Sequence, residues 1–264
     1  MKLSFLALVL FVVCFAPVAA HAGRIDILPR KILLDDRQRG GDITILNLGD
    51  KPSFVRITLL SYKQKEDGTY EEISAPLNAA FNPETAVRIS PKQFTLPAGG
   101  RQKIRMSIQK PAELPDGEYR FHVKAVSFDQ EDASVRRAPA KTASVSLKMN
   151  VAVVIPVVFH KGALAGGAKI GNISFIPASR AAQGQPTLRF EVVRTGQAGV
   201  MGTMRAYQGD KEIGVMSNLN VFSEVPKRVV EMPLNQVPAA GPIRLVYTSD
   251  FGDKGVIDEI VTQK

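Results

Sequence analysis

An all-β chain of two sandwich domains is the fold this sequence predicts, on three observations. Short runs rich in Val, Ile, Thr and Phe recur with period two between clusters of Gly, Pro, Asn and Asp; helical periodicity is hard to find; and a glycine-rich stretch, Gly162 to Gly171, divides the runs into two groups. Period two sends alternate side chains to opposite faces of a strand, as a sheet with one buried face requires.

Residues 1–22 stand apart from this pattern. They combine Lys2, an apolar run from Leu3 to Phe15 and the small-residue ending Ala20-His21-Ala22 before Gly23, the pattern of a cleaved secretory signal peptide. The run is too short to span a bilayer, and nothing after Gly23 reaches the roughly 18 apolar residues of a membrane helix, so membrane insertion is not expected. Cys14, the only cysteine, lies inside the run without the small residues that precede a lipoprotein cleavage site. Removing the leader takes 22 of 264 residues and leaves 242, none of them a thiol. An exported chain with no disulfide must be held by its core, and this length suffices for two ordinary domains.

From residue 23 the candidate strands follow in order. Arg24 to Leu34 alternates weakly and is broken by Pro29; Asp42 to Leu46 ends at the turn-like Asn47-Leu48-Gly49-Asp50; Pro52 leads into Phe54 to Tyr62, before a turn at Asp67-Gly68. Val87 to Ile89, Phe94 to Leu96 and Gln102 to Ile108 come next, punctuated by Pro91, Pro97 and Gly99-Gly100, and Glu118 to Phe128 and Ser144 to Val158 complete the first half. About seven strands at this spacing predict an immunoglobulin-like sandwich over residues 23–160.

Gly162 to Gly171 reads as a linker or the first turn of a second domain. It is no phosphate loop, because Ala168 stands between Gly167 and Lys169 where that motif needs Lys followed by Ser or Thr. Ile170 to Ile176, Leu188 to Arg194, Gly202 to Tyr207, Lys227 to Met232, Ile243 to Tyr247 and Val256 to Val261 then form a second, smaller β-sandwich over residues 161–264.

Composition excludes more chemistry than it suggests. The formal charge is +9, spread without any block of like charges. Such a surface attracts acidic protein partners, but an exported chain with no reading motif is not expected to bind nucleic acid. His122 and His160 are the only histidines after the leader, and neither stands in a metal-binding spacing. His122, between Phe121 and Val123 on a strand, reads as a satisfied surface or interface imidazole rather than a catalytic base. Asp129, Glu131 and Asp132 cluster in a loop, where solvation explains them. With no G-x-S-x-G elbow and no G-x-G-x-x-G fingerprint, neither an enzyme, a metal nor a cofactor is expected.

The segment Ala143 to Val158 carries the most information. Val145, Leu147, Met149, Val151, Val153, Ile155 and Val157 share one parity, while Ser144, Ser146, Lys148, Asn150 and Ala152 share the other. A core strand explains part of this run but not its length, well beyond the usual five or six residues. A strand that outreaches its own sandwich leaves an apolar edge, which suits pairing with another chain by strand addition.

At this point a resemblance can be named: the chain is similar to the PapD-like periplasmic pilus chaperones, through most of its length after the leader. In the first half it rests on Pro29-Arg30-Lys31-Ile32-Leu33-Leu34 leading to Asp42-Ile43-Thr44-Ile45-Leu46-Asn47, on Arg88-Ile89-Ser90-Pro91 with Phe94-Thr95-Leu96 and Gln102-Lys103-Ile104-Arg105, and on Leu114-Pro115-Asp116-Gly117-Glu118-Tyr119-Arg120. Leu188-Arg189-Phe190 and Arg194-Thr195-Gly196 add the second half. The resemblance implies two immunoglobulin-like domains set in an L, a periplasmic location, and a chaperone that lends an edge strand to a pilus subunit and delivers it to an outer-membrane usher. It makes Val145, Leu147, Met149 and Val151 the donated side chains. It also implies an Arg on the first strand and a Lys on the lending strand that grip the subunit's terminal carboxylate. Counting back from Asn47 puts Lys31 at the Arg position with Arg30 beside it, and adjacent strand residues face opposite sides, so one of the two enters the cleft; Lys31 is favoured. The Lys position falls on Ala152, which cannot bind an anion, and Lys148 is the same-parity substitute four residues away. Three further readings stay open: a structural or adhesive exported protein of a surface fibre, an exported hydrolase whose carboxylate pair is assembled in space, and self-association of the free chain through its lending strand.

Overall fold

The structure, a computed structural model, describes residues 25–129, 150–251 and 257–262. In chain order its first half comprises β1 (Ile25–Leu28), β2 (Ile32–Leu34), β3 (Gly40–Asn47), β4 (Ser53–Gln64), β5 (Tyr70–Ile73), α1 (Pro83–Ala86), β6 (Val87–Ser90), β7 (Gln93–Leu96), β8 (Arg101–Ile108), β9 (Gly117–Asp129) and β10 (Val151–Lys161). One sheet has the order β1-β3-β8-β6; the facing sheet runs β2-β10-β9-β4-β5, with β7 also paired to β4. The weakly alternating Arg24 to Leu34 therefore splits at Pro29: β1 pairs antiparallel with β3 in one sheet, and β2 pairs parallel with β10 in the other. The alternation of β3, β8 and β9 lands Ile43, Ile45, Ile104, Met106, Phe121 and Val123 in one core between the sheets.

Two polar groups fix the corners of this sandwich. Buried Asn47 donates through Nδ2 to the carbonyls of Lys51 at 2.8 Å, Pro97 at 3.0 Å and Leu96 at 3.1 Å, joining the β3–β4 turn to the end of β7. Tyr119, near the start of β9, donates its hydroxyl to the Pro115 carbonyl at 2.8 Å, the tyrosine corner of immunoglobulin-like sandwiches. Two elements were not anticipated. The YEEI of β5 is largely exposed and lacks the alternation that would reveal it, and α1 is one turn capped by Asn82, whose Oδ1 accepts from Glu84 N at 2.9 Å, with Pro83 at its start.

The second half contains β11 (Gly166–Ile176), β12 (Thr187–Gly196), β13 (Val200–Gln208), β14 (Lys211–Val221), β15 (Lys227–Pro233), β16 (Pro242–Ser249) and β17 (Ile257–Thr262). Its two sheets run β11-β12-β15 and β14-β13-β16-β17 around a core that includes Phe190, Val192, Met204, Leu219, Met232 and Leu245. Here the glycine-rich stretch corrects the sequence reading. β11 begins at Gly166, inside the expected linker, because these glycines serve close packing: a Cβ on Gly166 would stand 2.7 Å from the Ala198 Cβ. β14 was also missed, its run being interrupted by Gly214 and by Asn218 at φ 57°.

The two sandwiches touch. Val158 and Leu33 from the first pack against Met201, Phe222 and Phe251 from the second. Among the described residues, no helix is long and apolar enough to cross a membrane.

Candidate functional site

The site is built on β10. This strand pairs antiparallel with β9 over its whole length, from Val151 opposite Ser127 to Lys161 opposite Gly117. On its other side β2 covers only Val157 to Phe159. Among the described residues, Val151 to Pro156 thus form an edge with one paired neighbour, and an edge of this kind presents its outward backbone groups to a further strand. Pro156 fits that position, since a proline cannot donate to a ladder and is confined to edges and bulges.

Side chains along this edge separate by parity. Ile155 and Val157 lie in the first core with Val153 packed against it, while Val151, at the open end, is half-buried. On the opposite face Ala152 is exposed, and Val154 and Pro156 are half-buried against a cleft of about 430 Å³ lined also by Tyr62, Tyr70, His122, Asn220 and Phe222. Val145, Leu147, Met149 and Lys148 lie outside the described residues, so of the four expected donor side chains Val151 alone is placed.

Of the three carboxylate-anchor candidates, the two described ones, Lys31 and Arg30, each already hold a carboxylate. Lys31 reaches across to the second sandwich and pairs with Asp250. Arg30 instead pairs with Asp26 at 3.0 Å on the outer surface, its side chain 68% exposed. The two neighbours diverge because both lie in the bend between β1 and β2, not on a strand as the sequence predicts, and of the two only Lys31 pairs across to the second sandwich. Ala152 offers an anion nothing.

A set of buried polar groups, which the sequence did not single out, ties the halves together around the cleft. Glu118, at the start of β9, accepts from Gly199 N at 2.7 Å and Ser223 N at 3.2 Å, and its carboxylate meets His160 Nε2 at 3.1 Å. Burial alone raises its pKa, but the bonds from His160, Gly199 and Ser223 outweigh that and hold it below the usual carboxylate range. The His160 ring stacks on Phe251, 4.1 Å between centroids. Arg120, two residues along β9, pairs with Glu224, donates to the Tyr62 carbonyl at 2.7 Å, and lies 3.5 Å over the Phe222 ring. Gln64 accepts from Phe222 N at 2.9 Å and donates to the Asn220 carbonyl at 3.0 Å.

Of the two sequence readings of His122, surface or interface, the structure removes the first: it is 4% exposed and lines a cleft shared with the second sandwich, and it is not fully satisfied, since its Nδ1 has no hydrogen-bond partner among the described residues. Its ring sits edge-on to Tyr62 at 5.2 Å. Burial, with the nearby Arg120 charge, pushes its pKa down to about 3, so the imidazole is neutral at physiological pH. Among the described residues no three His, Cys, Asp or Glu side chains converge on a common point. Asp129 closes β9, one residue past the strand end read from sequence.

No family model matches the chain, and no curated protein matches it in sequence. Solved structures do resemble it. The E. coli chaperone DraB is 16% identical, with 92% of this chain and 98% of that one covered at a TM-score of 0.49. The Salmonella enterica SafB chaperone, in complex with the SafA pilin, is 15% identical, covering 92% and 98% at 0.48. The CsuC–CsuE chaperone–tip adhesion subunit complex from the archaic Csu pili of Acinetobacter baumannii gives 18%, 90% and 97% at 0.45.

Proposed function

We propose that this protein is a periplasmic chaperone that binds a pilus subunit by lending it the open edge of β10 and delivers it to an outer-membrane usher. The observation that carries the reading is the run Val151 to Pro156, which pairs with β9 on one side and with no strand on the other among the described residues. A guest strand pairing there gains backbone hydrogen bonds, and the apolar parity that begins with Val151 supplies side chains to fill the gap in the guest. The sequence resemblance supplies the class of guest, an incomplete sandwich missing a strand. Burying each donated side chain contributes on the order of 1.5–3 kcal/mol. The work is done by association alone, without cofactor or catalysis.

The test is co-expression of the full chain with candidate pilus subunits, followed by isolation of the periplasmic complex. A one-to-one complex is expected from the native chain. Val151→Asp and Leu147→Asp each place a charge on the lending parity and should lose the complex while the purified variants keep their melting temperature. Undiminished recovery with both substitutions would overturn the proposal.

A further inference from the structure

The cleft beside the open edge has features that the edge alone does not require. Its walls are aromatic or apolar: Tyr62 from β4, Tyr70 from β5, Phe222 from the second sandwich, and Val154 with Pro156 from β10. Tyr70 is 44% exposed, and its ring contacts those of Tyr62, His122 and Phe222 at the mouth. The volume, about 430 Å³, is within the range of pockets that bury a ligand group. The cleft carries no uncompensated charge, because His122 is neutral and the Arg120 guanidinium behind Phe222 is paired with Glu224. A charged occupant would lose its hydration without gaining a partner.

Position then selects the occupant. Val154 and Pro156 belong to the six-residue edge, so a strand added beside β10 would run about 4.8 Å from them, its own outward side chains in the same row. From such a row a long side chain reaches over a neighbouring strand. We propose that the cleft receives an aromatic side chain from the partner strand that pairs with the open edge of β10. The inference rests on the strand-lending reading and deepens it, since it makes the second sandwich, through Phe222 and Asn220, part of how the guest is selected.

The test uses the full chain without its leader and short fluorescent peptides of alternating Val and Thr, in which one outward position is Ala, Leu, Phe or Lys. The Phe peptide should bind about tenfold tighter than the Ala peptide, with Lys no better than Ala. Val154→Trp, which fills the cleft from an outward-facing strand position, and Tyr70→Ser, at its exposed mouth, should each bring the Phe-to-Ala ratio close to one. Equal binding of all four peptides to the native chain overturns the cleft assignment and leaves strand lending intact. A Phe preference that survives both substitutions overturns it too. Absence of binding by every peptide overturns both readings together.

Discussion

Glu118 of the first sandwich accepts a hydrogen bond from the Gly199 backbone nitrogen of the second at 2.7 Å, with a side chain only 1% exposed. With Ser223 N and His160 on the same carboxylate, it is a buried anion satisfied from both sandwiches. Glu118→Gln keeps the shape but replaces one acceptor oxygen by a donor facing N–H groups. It should cost about 1–3 kcal/mol, measured by denaturant unfolding, and loosen the junction as read by hydrogen exchange at Gly199 and Ser223. The native pairing is also acid-sensitive. The folded pKa lies below the unfolded one, so the stabilisation is complete above the usual glutamate range and is lost as pH falls through the folded value.

His122 sets a second and separate window. Its pKa drops from 6.5 in the unfolded chain to about 3 in the fold. Between those values the unfolded chain binds a proton that the folded chain does not, so stability must fall as pH falls from 6.5. Between pH 7 and pH 5 this amounts to about 2 kcal/mol. His122→Phe, which preserves a ring against Tyr62 and breaks no bond at Nδ1, should leave stability at pH 7 nearly unchanged and remove most of that fall. Parallel pH profiles for native chain and variant would refute the assignment.

Lys31 and Arg30 stand side by side in sequence and do different things. Lys31 faces Asp250 across the junction, whereas Arg30 lies outside on Asp26. If Lys31 grips the guest, Lys31→Ala should weaken recovery of the subunit complex while costing less than about 1 kcal/mol of stability, as partly exposed pairs do. Arg30→Ala should alter neither. Equal loss of complex from both would show that general positive charge, not the Lys31 position, is what matters.

How far the sequence foretold this arrangement depends on whether the signal was local. β3, β8 and β9 announced themselves because Ile43, Ile45, Ile104, Met106, Phe121 and Val123 alternate toward one core. β5 did not, since an exposed edge strand such as Tyr70–Ile73 has no face to bury. Gly166 read as a chain break because a glycine's packing role, here closeness to Ala198, is invisible without the partner. The site shows the same division. The alternation of β10 from Val151 onward is legible as parity, whereas Asp250, Glu224 and Gly199 are distant in sequence from the residues they meet, and no spacing rule connects them. The sequence left His122 between surface and interface because nothing local shows that the cleft it lines is completed by Phe222 and Asn220 of the other sandwich.

Arg120 offers the sharpest energetic contrast. Its side chain is 3% exposed, and burial pushes its pKa down from the usual arginine value; the charge is retained because Glu224 answers it. Nε and Nη1 have no hydrogen-bond partners, so the compensation is carried by Nη2 and by the Phe222 face. Glu224→Ala therefore strands a buried cation and should cost about 3–5 kcal/mol. Removing both charges with Arg120→Met and Glu224→Leu should cost less than Glu224→Ala alone, because no ion is then left in a dry site. Chemical denaturation of the native chain and the two variants checks this directly. A double variant weaker than Glu224→Ala would mean that the pair holds the junction by attraction rather than by mutual neutralisation.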